Sequence, residues 1–238
     1  MRPFNDPAAR STSQRAALPI PLGAHTAAPP DAPQLVVRVA RPQDAPAIDA
    51  LRSASYAVAP WFPGLDMAAL KRERDHPDTR VLLIERDGKL LSTVSVTLLH
   101  SARAAADLLE NPVPDDLVGE LPAVVLQRAA SAVGQRGLGL LPIMRHHYIR
   151  AAERCGARVL LSAHAAGTPN LSCMAKLGYR LTPVGLRRPE RSVLATDTEV
   201  IVSSLPRRHF LTATELLEEH YPEALANARW RGAPLTLA

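Results

Sequence analysis

The sequence is poor in cysteine, with only Cys155 and Cys173 among its 238 residues. Two cysteines supply neither the paired spacing of a zinc site nor the bridges of a disulfide-stabilised domain. We therefore expect no structural metal and no disulfide framework. A reducing cytoplasm is the default compartment for such a chain.

Long apolar runs are also missing. No 18 consecutive residues are apolar, so no membrane-spanning helix is predicted. Residues 1–33 lack the apolar centre of a secretion signal and are rich in proline, alanine and serine, which predicts a disordered tail outside the chemistry. The arginines of this tail would suit an organelle transit peptide, but its aspartates count against that alternative.

Aromatic residues are scarce as well, at 4%, and no run of lysine and arginine is longer than two residues. Nucleic-acid-binding surfaces normally combine clustered cations with aromatic side chains that stack on bases, so this class of partner is disfavoured. The net charge of +5 is instead suited to a phosphorylated cofactor or an acidic carrier protein.

What remains is a globular composition, with 47% hydrophobic and 21% charged residues. The length fits one domain of roughly 200 residues plus a tail. We predict a folded domain over residues 34–205, followed by a C-terminal helical extension over residues 206–238.

Hydrophobic patterning predicts a mixed α/β fold with an antiparallel front and a parallel strand pair around Gly137 and Gly139. The predicted strands are residues 34–39, 80–86, 89–100, 123–130, 159–163, a run near Thr182, and 199–203. The predicted helices are one opening at Asp44, residues 66–74, one within 101–122, residues 138–154, residues 170–177, and one from near Ala213 to about His220. Asp87-Gly88 marks a hairpin, and the polar face of its second arm is expected to face either a cleft or solvent.

A glycine turn precedes the longest predicted helix. Gly137 and Gly139 follow a short apolar strand and open that helix, and the next strand is parallel to the first. The first N–H groups of a helix have no internal partner, and the helix dipole favours an anion there. The order of strand, turn, helix and strand therefore predicts a seat for a phosphate group.

The sequence resembles the GCN5-related N-acetyltransferase (GNAT) superfamily over residues 36–202. Four segments carry the resemblance, and they occur in the family's order: residues 37–44, the Asp87-Gly88 hairpin, Arg136-Gly137-Leu138-Gly139, and Leu177-Gly178-Tyr179. The resemblance implies a GNAT-like α/β fold, with a mixed, mostly antiparallel central sheet flanked by helices and a parallel strand pair around the glycine turn. It also implies acetyl-CoA or another acyl-CoA as co-substrate, with no metal.

By this resemblance, the pyrophosphate of coenzyme A would bind the backbone N–H groups of the glycine turn. The implied seat consists of Gln135, Arg136, Gly137, Leu138, Gly139 and Leu140. The chain departs from the family pattern at Gly134, where a basic or amide residue is usual, and at Met174, where a tyrosine usually protonates the leaving thiolate. Methionine has no proton to donate.

These departures are more similar to a branch of the family that contains N-acyl amino acid synthases and acyl-homoserine lactone synthases. Gln127-Arg128 on the fourth strand and the early segment from Leu51 to Tyr56 match that branch. Its members take long acyl chains from an acyl carrier protein. The arginine pairs at 187–188 and 207–208 would suit such an acidic partner, although isolated pairs are more often plain surface.

Three side chains are predicted to act in catalysis: His164, His100 and Arg128. His164 lies at the C-terminal end of a strand, where open sheets bind ligands, and histidine titrates close to neutrality. His100 ends the third strand and is the second candidate for the base. Arg128 would orient a carboxylate, and backbone N–H groups of residues 126–130 would bind the oxyanion. The alternatives are ordinary hydrogen-bonded histidines and a salt bridge at the strand edge.

The predicted function is N-acyl transfer from an acyl-CoA or acyl carrier protein to the amine of a small molecule. Transfer is expected to be direct, because no nucleophile has a recognisable setting for a covalent intermediate and Cys173 is the only thiol worth testing. The alternatives are a carrier-protein-dependent N-acyl amino acid or lactone synthase, and a non-catalytic binding protein of the same fold. The acceptor, the acyl length and the oligomeric state stay open.

Overall fold

The computed structural model describes residues 34–59, 76–135, 137–186 and 199–237. The predicted tail, the predicted helix over residues 66–74, Arg136 and the arginine pair at 187–188 lie outside the described residues, as do Trp61 and Phe62, which we expect to line an acceptor pocket.

The described residues form a mixed eight-stranded sheet in the order β6-β7-β5-β4-β3-β2-β1-β8. Its strands are β1 (Leu35–Val39), β2 (Thr79–Arg86), β3 (Lys89–Leu99), β4 (Ala123–Ser131), β5 (Val159–Ala165), β6 (Arg180–Leu186), β7 (Glu199–Pro206) and β8 (Ala228–Trp230). The β4/β5 and β1/β8 pairs are parallel, and the other neighbours are antiparallel. The predicted mixed sheet with a parallel pair around the glycine turn is thereby confirmed.

Helices cover both faces of this sheet. They are α1 (Ala45–Ala57), α2 (Ala102–Leu109), α3 (Leu140–Arg154), α4 (Asn170–Lys176), α5 (Phe210–His220) and α6 (Pro222–Ala226). The main core lies under α3 and α5, and a second cluster of apolar residues lies under α2 on the opposite face. No helix in the described part of the chain is long and apolar enough to cross a membrane.

The hairpin predicted at Asp87-Gly88 joins β2 to β3, with Arg86 paired to Lys89. Both turn residues have positive φ, 52° and 73°, which is the backbone geometry of the tightest two-residue hairpin turn. Helix α3 begins at Leu140, two residues later than predicted, because Gly139 adopts a left-handed conformation with φ of 68°. Such a residue cannot continue a right-handed helix.

The polar face of β3 faces neither a cleft nor solvent, so both expectations for it are wrong. Thr93, Ser95 and Thr97 of this face are at most 1% exposed. Arg52 of α1 donates to Ser95 Oγ at 2.9 Å, and the hydroxyls of Thr79 and Thr97 lie 2.7 Å apart. These hydrogen bonds compensate for the burial of the Ser95 and Thr97 hydroxyls.

The C-terminal residues share the main core with the rest of the domain. Phe210, Leu217, Leu235 and Leu237 are all buried in that core. Strand β8, which was not predicted, adds to the sheet edge through bonds such as Arg231 N to Val37 O at 2.8 Å. Residues 206–237 therefore include a strand as well as helices, and they complete the central sheet.

Candidate active site

The site begins where β4 and β5 separate. Their parallel pairing runs from Ala123 with Val159 to Leu126 with Ser162 and then stops, although both strands continue. On the other side of β4, Thr93 pairs with Ala130 and Ser95 pairs with Gln127, so two residues of β4 oppose one of β3. This β-bulge removes backbone groups from the ladder next to the gap.

Arg128 occupies the bulge with φ of 54°, a conformation that is uncommon for a residue with a side chain. Tyr56 of α1 donates to the carbonyl oxygen of Ala129 at 3.3 Å, and so ties that helix to the bulge. The early segment from Leu51 to Tyr56 thus holds α1 against the sheet, because Arg52 is hydrogen-bonded to β3 and Tyr56 to β4. We propose that backbone N–H groups of the bulge bind the oxyanion.

A cavity of about 670 Å³ fills the gap between the two strands. It is lined from both faces of the sheet, so that it passes through the sheet. We name its two sides by their helices. The α3–α4 wall includes Arg145, Tyr148, Asn170, Cys173 and Tyr221, and the α1–α2 wall includes Ser55, Tyr56, Leu109, Gln127 and Arg128.

The glycine turn lies at one end of this cavity, where Gln135, Gly137, Gly139 and Leu140 line it. The N–H of Gln135 already donates to Ala132 O at 3.1 Å, so this residue is a poor part of the predicted phosphate seat. Among the described residues, the N–H groups of Gly137, Leu138 and Gly139 have no acceptor. Leu140 and Leu141 are the first residues of α3, so their N–H groups have no partner within the helix. Pro142, the next residue, has no N–H to offer.

Helix α6 packs directly on the glycine turn. A Cβ atom added to Gly139 would lie 2.6 Å from the Cβ of Ala224, closer than real carbon atoms approach. Gly139 is therefore required both for its positive φ and for this contact. In contrast, Leu138 is 38% exposed, and the turn remains open to solvent on that side.

His164 lies in the cavity wall near the end of β5, which runs to Ala165, two residues beyond the predicted strand. Its Nε2 is hydrogen-bonded to Ser203 Oγ at 3.0 Å. Burial, and then the charge of Arg145, lower the pKa of His164 from 6.5 to about 4. The ring is neutral at pH 7 and can accept a proton, but a pKa this low makes it a weak base.

Arg145 of α3 is the least expected member of the α3–α4 wall. It is only 2% exposed, and it donates to Asn170 Oδ1 and, at 3.4 Å, to Cys173 Sγ. Its Nε has no acceptor, and no carboxylate among the described residues lies within ion-pair distance. Nearby Tyr148, Cys173 and Tyr179 raise the pKa of Arg145 despite its burial, so its charge persists.

The side chain of Arg128 on the α1–α2 wall is 9% exposed, and Glu110, at the end of α2, lies 3.4 Å from its Nη2. The neighbouring Gln127 donates to Leu108 O of α2. The predicted strand arginine therefore lines the cavity, and its charge is balanced by a carboxylate.

His100 is not part of this cluster. It is exposed and follows the end of β3, which pairs with the first residue of β4 rather than with the separated end. The structure thus brings together His164, Arg128 and the glycine turn but leaves His100 at the opposite end of the sheet.

The Asp115 and Asp116 loop is exposed, with Asp116 paired to Arg180. Among the described residues, no cluster of His, Cys, Asp and Glu could hold a metal ion.

Met174 lines the cavity at 1% exposure. A tyrosine, the residue usual at this position in the resembled family, would overpack the core here. Sequence reasoning missed Arg145 and Tyr221. Arg145 had a signal, because it lies four residues after Leu141 and three before Tyr148, on the apolar face of α3. Tyr221 had none, because it follows α5 and only tertiary packing brings it to the cavity.

No protein-family model matches the sequence, and no curated protein sequence matches it. Solved structures do match its fold. FeeM, an N-acyl amino acid synthase from uncultured soil microbes, superposes with a TM-score of 0.59 at 14% identity, over 79% of this chain and 98% of that one. YncA from Salmonella typhimurium, solved with its cofactor acetyl-CoA, gives 0.51 at 16% identity, over 73% and 94% of the chains.

A third match is the ribosomal-protein-S18-alanine N-acetyltransferase from Escherichia coli, with a TM-score of 0.51 at 15% identity, over 72% of this chain and 93% of that one. These similarities extend over most of the length of the chain. The chain therefore has the fold of the GCN5-related N-acetyltransferases.

Proposed function

We propose that the protein is an N-acyltransferase that moves an acyl group from a thioester donor to the amine of a small molecule. The observation that carries this proposal is the cavity that passes through the sheet between β4 and β5, with backbone N–H groups at one end that have no acceptor among the described residues. A donor held on one face and an acceptor held on the other can meet in such a gap without a covalent intermediate.

In this proposal the donor occupies the α3–α4 side, with a phosphate on the N–H groups of residues 137–141. The acceptor enters from the α1–α2 side. Backbone N–H groups of the β4 bulge stabilise the oxyanion of the tetrahedral intermediate, since fixed donors are most effective where charge develops. His164 is the proposed acceptor of the amine proton, and its low pKa requires the amine to arrive largely deprotonated.

The size of the cavity supports a substrate larger than acetate. A volume of about 670 Å³ is in the range that holds a drug-sized ligand, and its walls include Val94, Leu126, Met144 and Leu177. A long acyl chain would bury its methylene groups against these side chains, each contributing about 0.8 kcal/mol.

A second candidate is an N-acyl amino acid synthase that takes its acyl group from an acyl carrier protein. This candidate is supported by the similarity to FeeM, an N-acyl amino acid synthase whose structure superposes on this chain with a TM-score of 0.59. The glycine turn favours the same function, because Pro142 removes one N–H group from the seat and α6 covers Gly139. A carrier-bound donor has one phosphodiester and no adenosine, so it needs fewer contacts there than coenzyme A.

The first experiment measures thermal stabilisation by coenzyme A, acetyl-CoA and dodecanoyl-CoA side by side. We expect the largest shift with dodecanoyl-CoA. Leu138→Asp places a carboxylate at the exposed edge of the turn and should reduce the shift by repelling phosphate, whereas Leu138→Asn has the same shape without the charge and should not.

No shift with any of these ligands would refute a coenzyme A seat and direct the search to acyl carrier protein. Transfer assays then use acyl-CoA and acyl carrier protein as donors against a panel of amines and amino acids. Binding of a thioester without transfer to any acceptor would favour a non-catalytic binding protein.

A further inference from the structure

The C-terminal segment reaches the cavity at the junction of α5 and α6. His220 and Tyr221 line the cavity there. The backbone of Tyr221 is held from both sides, since its N–H donates to Leu217 O at 2.9 Å and its carbonyl accepts from Leu225 N at 3.1 Å. The phenol oxygen lies 4.0 Å from Cys173 Sγ on the α3–α4 wall.

Acyl transfer from a thioester leaves a sulfur atom with an extra electron pair, and this sulfur must gain a proton. Most polar groups of the α3–α4 wall cannot supply one. Arg145 does not release its proton, and Met174 has none. His164 is neutral at pH 7 and is hydrogen-bonded to Ser203. Cys173 is a weak donor.

His220 and Lys176 also line the cavity, but both are exposed to solvent, so the two tyrosine hydroxyls are the remaining candidates within the wall. Tyr148 is 5% exposed and packed in the main core beside Arg145, whereas Tyr221 is half-buried and accessible from the cavity. Burial, followed by the proximity of Cys173, raises the pKa of the Tyr221 phenol above its usual value near 10, and Arg145 opposes the shift. The phenol therefore keeps its proton throughout the physiological pH range.

We propose that Tyr221 protonates the leaving sulfur, so that the C-terminal segment is part of the active site. This inference rests on the proposed N-acyltransferase function. The amine nitrogen forms a bond to the carbonyl carbon and loses a proton to the base, the carbon–sulfur bond breaks with its electron pair on sulfur, and the Tyr221 proton moves to sulfur. The phenolate then regains a proton from the base through solvent, so the thioester and amine become an amide and a thiol.

Arg145 contributes to the same step. Its buried charge has only neutral hydrogen-bond partners among the described residues, and it lies against Cys173, whose sulfur is 4.0 Å from the Tyr221 hydroxyl. A fixed cation in a poorly hydrated wall stabilises a developing negative charge more strongly than it would in water. It would stabilise the thiolate while the proton is in transit.

The test is Tyr221→Phe, which removes only the hydroxyl. The matched control is Tyr179→Phe, because Tyr179 is buried near Arg145 but does not line the cavity. Each variant is assayed with two donors that carry the same acyl group, an alkyl thioester (acyl-CoA or acyl-pantetheine) and an aryl thioester of a more acidic thiophenol. Melting temperatures confirm that both variants fold.

For the alkyl thioester, Tyr221→Phe should lower kcat at least about 100-fold relative to wild type, the usual size of a lost general acid. For the aryl thioester the loss should shrink to within roughly threefold, because a more acidic thiol leaves without a proton. Tyr179→Phe should change both rates by the same factor, so that the ratio of the two donors stays that of wild type.

An equal loss with both donors would mean that Tyr221 only supports the fold, and no loss with either would mean that another group protonates the sulfur; both results would overturn the inference. A wild-type protein that transfers from neither thioester to any amine would overturn the proposed function as well. The two failures are therefore distinguishable.

Discussion

The two walls of the cavity each contain a buried arginine, and the two arginines have opposite surroundings. Arg128 on the α1–α2 wall lies beside the carboxylate of Glu110, with both side chains at most 12% exposed. Arg145 on the α3–α4 wall is held by an amide oxygen and a thiol, with no carboxylate partner among the described residues. Two residues of the same type therefore present very different charges to a ligand between them.

The difference bears on what each arginine contributes. Burying an ion pair costs desolvation free energy, which the attraction between the two charges offsets. The net electric field around the pair is therefore small, and the pair mainly affects stability when one partner is removed. A buried cation with neutral partners has the same desolvation cost, and its field remains available to anything that enters the cavity. We therefore propose that Arg128 mainly supports the bulge, and that Arg145 stabilises the charge that develops during the reaction.

Breaking the Arg128 pair should have the largest effect on stability. Arg128→Met leaves Glu110 buried beside the gap without this counter-charge, and we expect a loss of about 3 kcal/mol in the free energy of unfolding. Urea denaturation measures it. The double variant Arg128→Met with Glu110→Gln should recover more than half of the loss, and a loss below about 1 kcal/mol in the single variant would place the pair among ordinary surface salt bridges.

Removing the unbalanced charge should act on activity instead. Arg145→Met keeps an unbranched side chain in the core and removes the cation, so we expect the free energy of unfolding to stay within about 1 kcal/mol of wild type. Acyl transfer should fall about 100-fold, as when an electrostatic stabiliser of the transition state is lost. Arg150→Met on the exposed face of α3 is the control. Full activity of Arg145→Met would contradict the proposal that the charge of Arg145 takes part in acyl transfer.

The pH dependence of stability sharpens the comparison further. The folded pKa of His164, about 4, lies below its ordinary value of 6.5, so the unfolded chain binds a proton first on acidification. This difference in pKa stabilises the folded state above pH 6.5, and the contribution is lost as the pH falls towards 4. After allowance for partial exposure of the ring, it is on the order of 2 kcal/mol in the free energy of unfolding.

His164→Asn should flatten this part of the stability profile, and Arg145→Met should flatten it in part, because the charge of Arg145 is the second cause of the shift. Arg128→Met should leave its slope unchanged. His147 also has a pKa lowered to about 4 by burial and contributes in the same window, so the profiles are compared as differences from wild type. Equal slopes in wild type and His164→Asn would contradict the prediction.

Much of the fold follows from local patterns. Asp87-Gly88 specifies a hairpin because both positions accept positive φ, and the run from Ala123 to Leu126 is apolar because it is covered on both faces. The boundaries were less accurate where a backbone conformation decided them, as at Gly139. Strand β8 has three residues and no periodicity, so only the edge of β1 makes it a strand.

The glycine turn, His164 and Arg128 line one cavity, and the sequence points to them because their signals are local: a short motif, a strand end, and a polar pair in an apolar strand. Their roles in catalysis and binding stay predictions. His100 was equally plausible on those grounds, since it also ends a strand, and the register of β3 against β4 places it at the other end of the sheet. A single sequence contains strand ends but no register.

The sequence by itself determined the order of strands and helices, the glycine turn before α3, and the fold class, because these depend on interactions between residues close together in the chain. Only the tertiary structure decided that β4 and β5 separate after Leu126, that Arg145 is buried with neutral partners, and that Tyr221 faces Cys173 from 48 residues away. Such pairings are set by the packing of whole elements on a shared core, and that packing depends on every element at once.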